Sequence, residues 1–345
     1  MKKMVFVAAS FLVWACLVFG ASTPAHSQDF YKGKTIHIVV GFSAGGGFDT
    51  YSRAIARHLG KQIPGNPTII VENMGGAGSL LAANHLYGRA KPDGLTIGNF
   101  IGSLVLQQLF GSKGIEFDAR KFEWLGVPVQ DMTACALTKA SGITSLDKWF
   151  AAKEPVKIGG EAPGANDSDV PRVLKTTLGL PIQLIEGYKG TSQIRLAAEA
   201  GEIAGGCWTW ESIKVTWRKG LESGEVNVVL QVNPERFSEL SNVPNAIEYA
   251  KSEEARQLLK TAIHDSAAVT RVYALPPGTP RDRADLLRKA FAATMKDPEF
   301  LAEMNKTNLG INPLPGSAVE KIVAGFFKLQ PAQVARVKEV LTPAR

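Results

Sequence analysis

The stretch TIHIVVGFSAGGGFD at residues 35–49 decides the fold of this chain. Residues 36–40 are mostly β-branched, which is typical of a buried strand. The glycine-rich residues 43–49 follow at once, and the side chains of one helical face then recur at Tyr51, Ala54, Ile55, His58 and Leu59. The sequence therefore predicts a strand, a glycine-rich loop and a helix in direct succession.

The same alternation continues along the chain. It predicts further strands at residues 68–71, 95–99, 156–158, 182–185, 226–232 and 271–275. It predicts helices between them at residues 79–89, 170–178 and 192–200. Strands that alternate with helices indicate an α/β fold, and we expect its sheets to be largely parallel.

Chain length favours two domains, because the residues after the N-terminal segment exceed a comfortable single hydrophobic core. We place the first domain at residues 28–131 plus 272–345 and the second at residues 132–271. The last 65 or so residues are too few for a domain of their own, so we expect them to complete the first one. The chain then crosses twice between the domains, which predicts a hinge.

The N-terminus has the layout of a secretory signal peptide. Lys2 and Lys3 precede an uncharged apolar run at residues 4–19, and small residues follow up to Ser27. This pattern predicts a signal peptide at residues 1–27 that is removed on export to the periplasm.

Composition excludes several classes of partner. The 39 Lys and Arg residues exceed the 32 Asp and Glu residues only mildly and form no basic run, so we expect no nucleic-acid partner. The histidines show no metal-ligand spacing, and we expect no metal, no cofactor and a monomer. Cys135 and Cys207 remain after export, either as a disulfide or as separate buried thiols.

The glycine-rich loop is a candidate anion site. In open α/β sheets, ligands bind beyond the carboxyl ends of strands, where a helix N-terminus offers unpaired N–H groups and a positive dipole end. A second cluster, GGAG at residues 75–78, follows the next predicted strand, so two such N-termini are expected side by side. The alternative is that the glycines only make a flexible turn and Asp49 only caps the helix.

An enzymatic alternative rests on residues 41–45, GFSAG, which match the nucleophile elbow G-x-S-x-G. A hydrolase of this kind would use Ser43, with His264 as a candidate base. Its oxyanion hole needs a loop from an earlier strand, and too few residues precede Ser43 to supply one. We therefore expect no catalysis. Neither glycine cluster matches G-x-G-x-x-G, which disfavours nucleotide binding.

Five segments together resemble a known family. They are YKGKTIHIVVGFSAGGGFD at 31–49, VENMGGAG at 71–78, PDG at 92–94, YKG at 188–190 and PPGTP at 276–280. In this order they resemble the substrate-binding proteins of tripartite tricarboxylate transporters, the Bug family. The resemblance implies a two-domain periplasmic binding protein fold with a ligand cleft between the domains, and membrane permease subunits as partners.

The resemblance also implies which residues hold the ligand, largely through backbone N–H groups. The first domain would contribute Phe42, Ser43, Ala44, Gly45, Gly46, Phe48, Asp49, Gly76 and Ala77. The second would contribute Gly160, Ala162, Pro163, Gly164, Asn166, Tyr188, Lys189, Gly190, Thr191, Trp208 and Trp210. Phe48 stands where many relatives carry a small or hydroxyl residue. One of the two tryptophans is expected to face the cleft, unless both pack the core.

These observations predict a periplasmic protein that captures a small organic carboxylate, such as an aromatic or dicarboxylic acid, for a tripartite tricarboxylate-type transporter. Closure of the hinge would trap the ligand. A periplasmic sensor that reports the ligand to a membrane signalling partner is the alternative, and a hydrolase that uses Ser43 is a more distant one.

Overall fold

A computed structural model describes residues 30–342. The predicted signal peptide lies outside this range. The strands are β1 Thr35–Val40, β2 Thr68–Asn73, β3 Thr96–Ile101, β4 Glu123–Val127, β5 Thr133–Thr138, β6 Val156–Gly159, β7 Ile182–Ile185, β8 Gly205–Thr209, β9 Val226–Gln231, β10 Arg271–Leu275 and β11 Leu314–Pro315.

The helices of the first half are α1 Gly47–Leu59, α2 Leu80–Gly88, α3 Leu104–Leu109, α4 Leu146–Phe150, α5 Asn166–Leu178 and α6 Thr191–Glu199. Those of the second half are α7 Trp210–Thr216, α8 Arg218–Ser223, α9 Ala246–Tyr249, α10 Glu253–Leu259, α11 Asp265–Ala267, α12 Arg281–Thr294, α13 Pro298–Lys306, α14 Gly316–Phe326 and α15 Pro331–Leu341. A π-helix at Lys260–His264 joins α10 to α11. Within residues 30–342, every helix is too short or too polar to cross a membrane.

Two mixed sheets organise the fold. The first has the strand order β11-β4-β10-β3-β1-β2 and the second has the order β7-β6-β8-β5-β9. In the first sheet β1 is parallel to β2 and β3, whereas β10 is antiparallel to β3 and β4. In the second sheet β6 is parallel to β7 and β8, whereas β5 is antiparallel to β8 and β9.

The α/β class is thus confirmed, but the expectation of largely parallel sheets is wrong. Two neighbouring parallel strands need a crossover connection, usually a helix, which returns the chain to the end of the sheet where the first strand began. Strands β5 and β10 are the first strands that the chain forms after it passes from one sheet to the other. Each lies between two strands of its sheet without such a crossover and runs antiparallel to both of them.

Most predicted elements coincide with observed ones. The predicted strands at 182–185 and 271–275 match β7 and β10 residue for residue. Helix α5 begins at Asn166, four residues before the predicted start at 170. Its first turn is polar, with Asp167 and Asp169 at the positive end of the helix dipole, so the apolar spacing alone misses it.

The chain passes between the two sheets twice, at residues 128–132 and 268–270. The first sheet contains strands that precede and strands that follow the second sheet in the chain, as expected for a hinge built from two connections. Helix α15 packs against α5 and the π-helix. By contrast, α12 and α14, which precede it in the chain, cover β4. Whether the domain boundaries fall at residues 131 and 271 stays a prediction.

A disulfide crosslinks the second sheet. Cys135 on β5 and Cys207 on β8 lie directly opposite each other in the antiparallel register, and their sulfurs are bonded at 2.03 Å. Both residues are fully buried. Of the two states that the sequence left open, the structure therefore has the disulfide.

Candidate ligand-binding site

A small cavity of about 30 Å³ lies where loops from the two sheets meet. The first wall, which belongs to the first sheet and its return segment, consists of Phe42, Gly46, Gly47, Phe48, Ile101 and Thr270. The second wall, which belongs to the second sheet and its helices, consists of Glu161, Ala165, Asn166, Asp167, Thr191, Trp208, Thr209 and Ser212. Most of these residues lie at or just beyond the carboxyl ends of β1, β3, β6 and β8, where open α/β sheets bind ligands.

Three helix N-termini meet at this cavity. Helix α1 begins at Gly47, α5 at Asn166 and α6 at Thr191, and each of these residues lines the cavity. The first N–H groups of a helix have no partner within the helix, and its dipole is positive at this end. The arrangement suits an anion that touches both walls.

Glycines allow the two walls to approach closely. A Cβ atom at Gly47 would lie 2.8 Å from Ser212 Cα, so only glycine lets α1 begin against α7. A Cβ atom at Gly190 would lie 3.1 Å from Ser43 N and would overlap the hydroxyl oxygen of Ser43. At these two positions the glycine is required by contact between the walls and not by loop flexibility.

Ser43 ties the first glycine loop to the second sheet. Its N–H donates to Lys189 O at 2.9 Å, and its Oγ lies 3.0 Å from Ser192 Oγ. Ser192 Oγ also donates to Ala44 O at 3.1 Å. These bonds hold the loop at residues 43–46 against the N-terminus of α6.

The nucleophile elbow is not assembled around Ser43. Among residues 30–342, no histidine hydrogen-bonds to Ser43, and His264 Nε2 is buried without a hydrogen-bond partner in the same range. A serine hydrolase needs a base within hydrogen-bond reach of its nucleophile. The geometry therefore gives no support to the hydrolase alternative.

Asp49 holds its own loop. Its carboxylate accepts a hydrogen bond from Gly45 N at 2.9 Å, from Asn73 Nδ2 at 3.0 Å and from Arg53 Nε at 3.0 Å. Burial raises the pKa of Asp49, but the hydrogen bonds from Arg53, Gly45 and Asn73 together hold it below its usual value. The carboxylate is absent from the cavity wall, and its hydrogen bonds hold the glycine-rich loop in place.

The predicted ligand residues divide into two groups. Those that line the cavity are Phe42, Gly46, Phe48, Asn166, Thr191 and Trp208. Behind them, Lys189 and Gly190 contact Ser43, Gly160 O accepts from Tyr188 N at 3.4 Å, and Gly164 O accepts from Ser103 Oγ at 2.7 Å. The remaining predicted residues, Ala44, Gly45, Asp49, Gly76, Ala77, Ala162, Pro163 and Trp210, do not line it.

The two tryptophans of β8 and α7 have different surroundings. Trp208 lines the cavity and stacks on Trp217 with ring centroids 5.0 Å apart. Trp210 Nε1 instead donates to Glu239 Oε2 at 2.8 Å, away from the cavity. Only Trp208 is therefore placed to contact a ligand.

The second wall carries two buried acids, Glu161 and Asp167. Glu161 N donates to Asp167 Oδ1 at 3.0 Å. Burial raises the pKa of Asp167 to about 6, against the hydrogen bond from Glu161. Burial and the charge of Asp167 raise the pKa of Glu161 well above its usual range. Neither acid is among the predicted ligand residues, although Glu161 lies between two of them, Gly160 and Ala162.

Behind the first wall, a buried ion pair joins the two chain passages. Asp131 lies on the first passage and Arg271 directly follows the second, with their carboxylate and guanidinium 3.1 Å apart and both side chains fully buried. Arg271 Nη2 also donates to Ser212 Oγ at 3.1 Å, and its guanidinium lies 4.4 Å from the centre of the Phe48 ring. The pair thus supports both walls, and no pattern in the sequence pointed to it.

His58, Asp297 and Glu299 are the residues among 30–342 whose ligand atoms approach within 4.8 Å of one another. These groups already have protein partners. His58 Nε2 contacts Glu303 at 2.9 Å, Gln62 donates to Asp297, and Lys61 pairs with Glu299. We assign no metal to this cluster.

Comparisons with known proteins identify the family. Residues 52–340 match the family described as "Tripartite tricarboxylate transporter family receptor", and the chain belongs to this family. A "UPF0065 protein in the TAR-I ttuE-ttuC' intergenic region" of Agrobacterium vitis is 26% identical over 93% of this chain and 87% of its own length. A "UPF0065 protein in gbd 5'region" of Cupriavidus necator is 24% identical over 90% of each chain.

Solved structures share the fold. The periplasmic binding protein BugD is 21% identical with a TM-score of 0.73, over 90% of this chain and 98% of its own. MatC from Rhodopseudomonas palustris, solved with bound malate, is 19% identical with a TM-score of 0.68, over 89% and 99%. They confirm the predicted two-domain periplasmic binding protein fold class. The family is one of transport receptors, which confirms that the chain is a binding protein and not an enzyme.

Proposed function

We propose that this protein captures a small organic carboxylate in the periplasm and delivers it to the membrane subunits of a tripartite tricarboxylate-type transporter. The observation that carries the proposal is the meeting of the N-termini of α1, α5 and α6 at one cavity between two walls. Unpaired N–H groups from both sheets would share the carboxylate, without a chemical step.

Relatives support the class of ligand. MatC was solved with malate, and another Rhodopseudomonas palustris protein of the same fold, 19% identical, was solved with adipate. The family supports membrane partners, because its members are receptors of tripartite transporters. On this proposal, residues 1–27 serve as the export signal.

Ligand entry requires the walls to separate. A cavity of about 30 Å³ holds about two water molecules, since each needs about 10–15 Å³, and a dicarboxylate is larger. We propose that residues 28–131 plus 272–345 and residues 132–271 move as two domains about the passages at 128–132 and 268–270. The bonds from Ser43 to Lys189 and Ser192 would then form on closure.

Thermal unfolding tests the proposal. The melting temperature is measured with aliphatic and aromatic mono-, di- and tricarboxylates, because a ligand at 100 times its Kd adds roughly 2.7 kcal/mol to the free energy of unfolding. Succinamide, the uncharged analogue of succinate, is the matched control. At least one acid should raise the melting temperature and its amide should not. Stabilisation by neutral solutes or amines alone would contradict the proposal.

A deletion strain tests the partner. Loss of uptake of the stabilising acid, with acid-dependent gene expression intact, is the expected result. The opposite pattern would favour a periplasmic sensor.

A further inference from the structure

A contact outside the cavity joins the parts of the chain that carry the two walls, at Glu211 in the first turn of α7. Gly310 N donates to Glu211 Oε2 at 2.8 Å, and the Tyr51 hydroxyl lies 3.0 Å from the same oxygen. Tyr51 belongs to α1, and Gly310 lies in the loop that follows α13. Both are on the side of the first wall, whereas α7 is on the side of the second. None of these three residues lines the cavity.

The contact is buried and uses both oxygens of the carboxylate. Glu211 is 4% exposed, and Tyr51, whose hydroxyl also lies 2.7 Å from Gly310 O, is fully buried. Glu211 Oε1 pairs with Lys214 Nζ at 2.9 Å within α7, so Oε2 is the oxygen that accepts from the other side. A Cβ atom at position 310 would lie 3.1 Å from Oε1, so the loop approaches the carboxylate through its backbone. Hydrogen bonds to a charged group are stronger than neutral ones, and burial strengthens them further.

The contact lies about one helical turn from the place where the walls meet. Tyr51 follows Gly47 by one turn of α1, and Glu211 directly precedes Ser212 on α7. Gly47 and Ser212 are the residues at which α1 begins against α7. The Arg271 guanidinium lies 4.6 Å from the centre of the Tyr51 ring and donates to Ser212 Oγ, so it packs beside both helices. Separation of the walls at Gly47 and Ser212 would therefore also draw Tyr51 away from Glu211.

Opening of the molecule would exchange these hydrogen bonds for water, and closure would form them again. They involve no atom of the ligand. The apparent affinity of a protein that binds in only one of its arrangements is its intrinsic affinity reduced by the fraction of molecules in that arrangement. A contact that stabilises the closed arrangement alone therefore tightens the binding of every ligand by the same factor.

We propose that Glu211 is a positioning residue for ligand capture. Through Gly310 and Tyr51 it stabilises the closed arrangement, and it thereby sets the affinity for every ligand of the cavity without contacting any of them. Because a trapped ligand leaves only when the walls separate, Glu211 acts mainly on the rate of dissociation. This inference rests on the proposed function, because it assumes that closure traps a carboxylate.

The variant Glu211→Ala tests the inference with two acids that raise the melting temperature of the wild-type protein. Its closed arrangement would leave Gly310 N and Lys214 without their acceptor, and such a loss weakens the closed state strongly. Affinity for both acids should fall by roughly tenfold, and by the same factor for each. Calorimetric titration measures the affinities. Stopped-flow tryptophan fluorescence should show that faster dissociation accounts for most of the loss.

Three further variants locate the effect. Glu211→Gln keeps an acceptor of the same size for Gly310 N, so it should recover most of the lost affinity. Tyr51→Phe removes the hydroxyl and should weaken binding in the wild-type background but much less in Glu211→Ala, because the two residues share one contact. Glu239→Ala is the matched control. Glu239 accepts from Lys214 and Trp210, which both lie on α7, so its loss should leave the affinity unchanged.

The outcomes separate the two proposals. If Glu211→Ala lowers the melting temperature but binds both acids like the wild type, the contact only supports the fold, and the inference is wrong while the proposed function stands. If the two affinities fall by clearly different factors, Glu211 acts on the ligand itself and the inference is again wrong. Tyr51→Phe, which keeps the buried ring, decides the question in the same way if Glu211→Ala does not fold. If none of the tested acids binds the wild-type protein, the proposed function fails and the inference fails with it.

Discussion

The two walls of the cavity are built on the same plan and differ in what their acids do. Each has a strand, a glycine-containing loop and a helix whose first turn carries acids, Asp49 in α1 and Asp167 and Asp169 in α5. In each loop a backbone N–H donates to such an acid, from Gly45 to Asp49 and from Gly164 to Asp169. Asp49 also has the cationic Arg53 beside it, whereas Asp167 has Glu161.

The difference shows how one backbone design gives two chemical surfaces. With Arg53 and Asn73 at hand, Asp49 stays ionised and turns away from the cavity. Without a cation in contact, Asp167 has its pKa raised by burial and remains in the cavity wall beside Glu161. The first wall therefore offers backbone N–H groups, and the second adds a pair of buried acids.

The largest expected effect concerns the disulfide, which crosslinks only the sheet that carries the second wall. In the double variant Cys135→Ala/Cys207→Ala, we expect the free energy of unfolding to fall by roughly 4 kcal/mol, because the bond closes a loop across a sequence separation of 72 residues. Urea unfolding measures the loss. Wild-type protein in dithiothreitol should match the variant, and an unchanged midpoint in both would contradict the disulfide.

The next effect tests contact between the walls. Gly47→Ala would place a methyl group against the backbone of Ser212, and we expect an overpacking cost of about 1–3 kcal/mol in the closed arrangement. This should weaken binding of the stabilising acid by about 5- to 150-fold in calorimetric titration. Gly88→Ala, where a Cβ atom meets nothing within 4 Å, is the control. Equal affinity in Gly47→Ala and wild type would show that the walls do not meet there.

A smaller effect distinguishes Asp49 from the acidic side chains of the second wall. Asp49→Ala removes the carboxylate that is hydrogen-bonded to Gly45 and Asn73 and should lower the free energy of unfolding by about 1 kcal/mol without changing the preference between malate and succinate. Thermal unfolding and titration measure the two quantities. A changed preference would mean that Asp49 faces the ligand after all.

The smallest effect is the pH dependence of the second wall. Burial raises the pKa of Asp167 to about 6 and that of Asp169 to about 7, above their unfolded values. These two acids then bind more protons in the folded state than in the unfolded state between about pH 4 and pH 7, so their contribution to stability falls as pH rises through this window. The melting temperature should be a few degrees higher at pH 5 than at pH 7.5. Asp167→Asn should reduce this difference, and Asp49→Asn should leave it unchanged.

The backbone of the site could be predicted from the sequence, because glycines, strand runs and helix spacing are local signals. They placed β1, α1 and the loop between them correctly. The second-wall acids could not be predicted in the same way. Whether an acid is engaged like Asp49 or left in a cavity like Glu161 depends on neighbours that only the packed structure supplies.

One signal for Glu161 was nevertheless present. It lies two residues beyond the carboxyl end of β6, as Phe42 lies two residues beyond β1, and such positions face the cleft of an open sheet. For the pair Asp131 and Arg271 no such signal exists, since the residues are 140 positions apart and meet only because both chain passages run side by side.

The most direct test of the account is a crystal structure with the acid that stabilises the protein most. We predict that its carboxylate lies between the walls, within hydrogen-bond distance of N–H groups in the first turn of α1 and of α5 or α6. An acid bound outside this cavity, or bound in it with its carboxylate away from all three helix N-termini, would contradict the account.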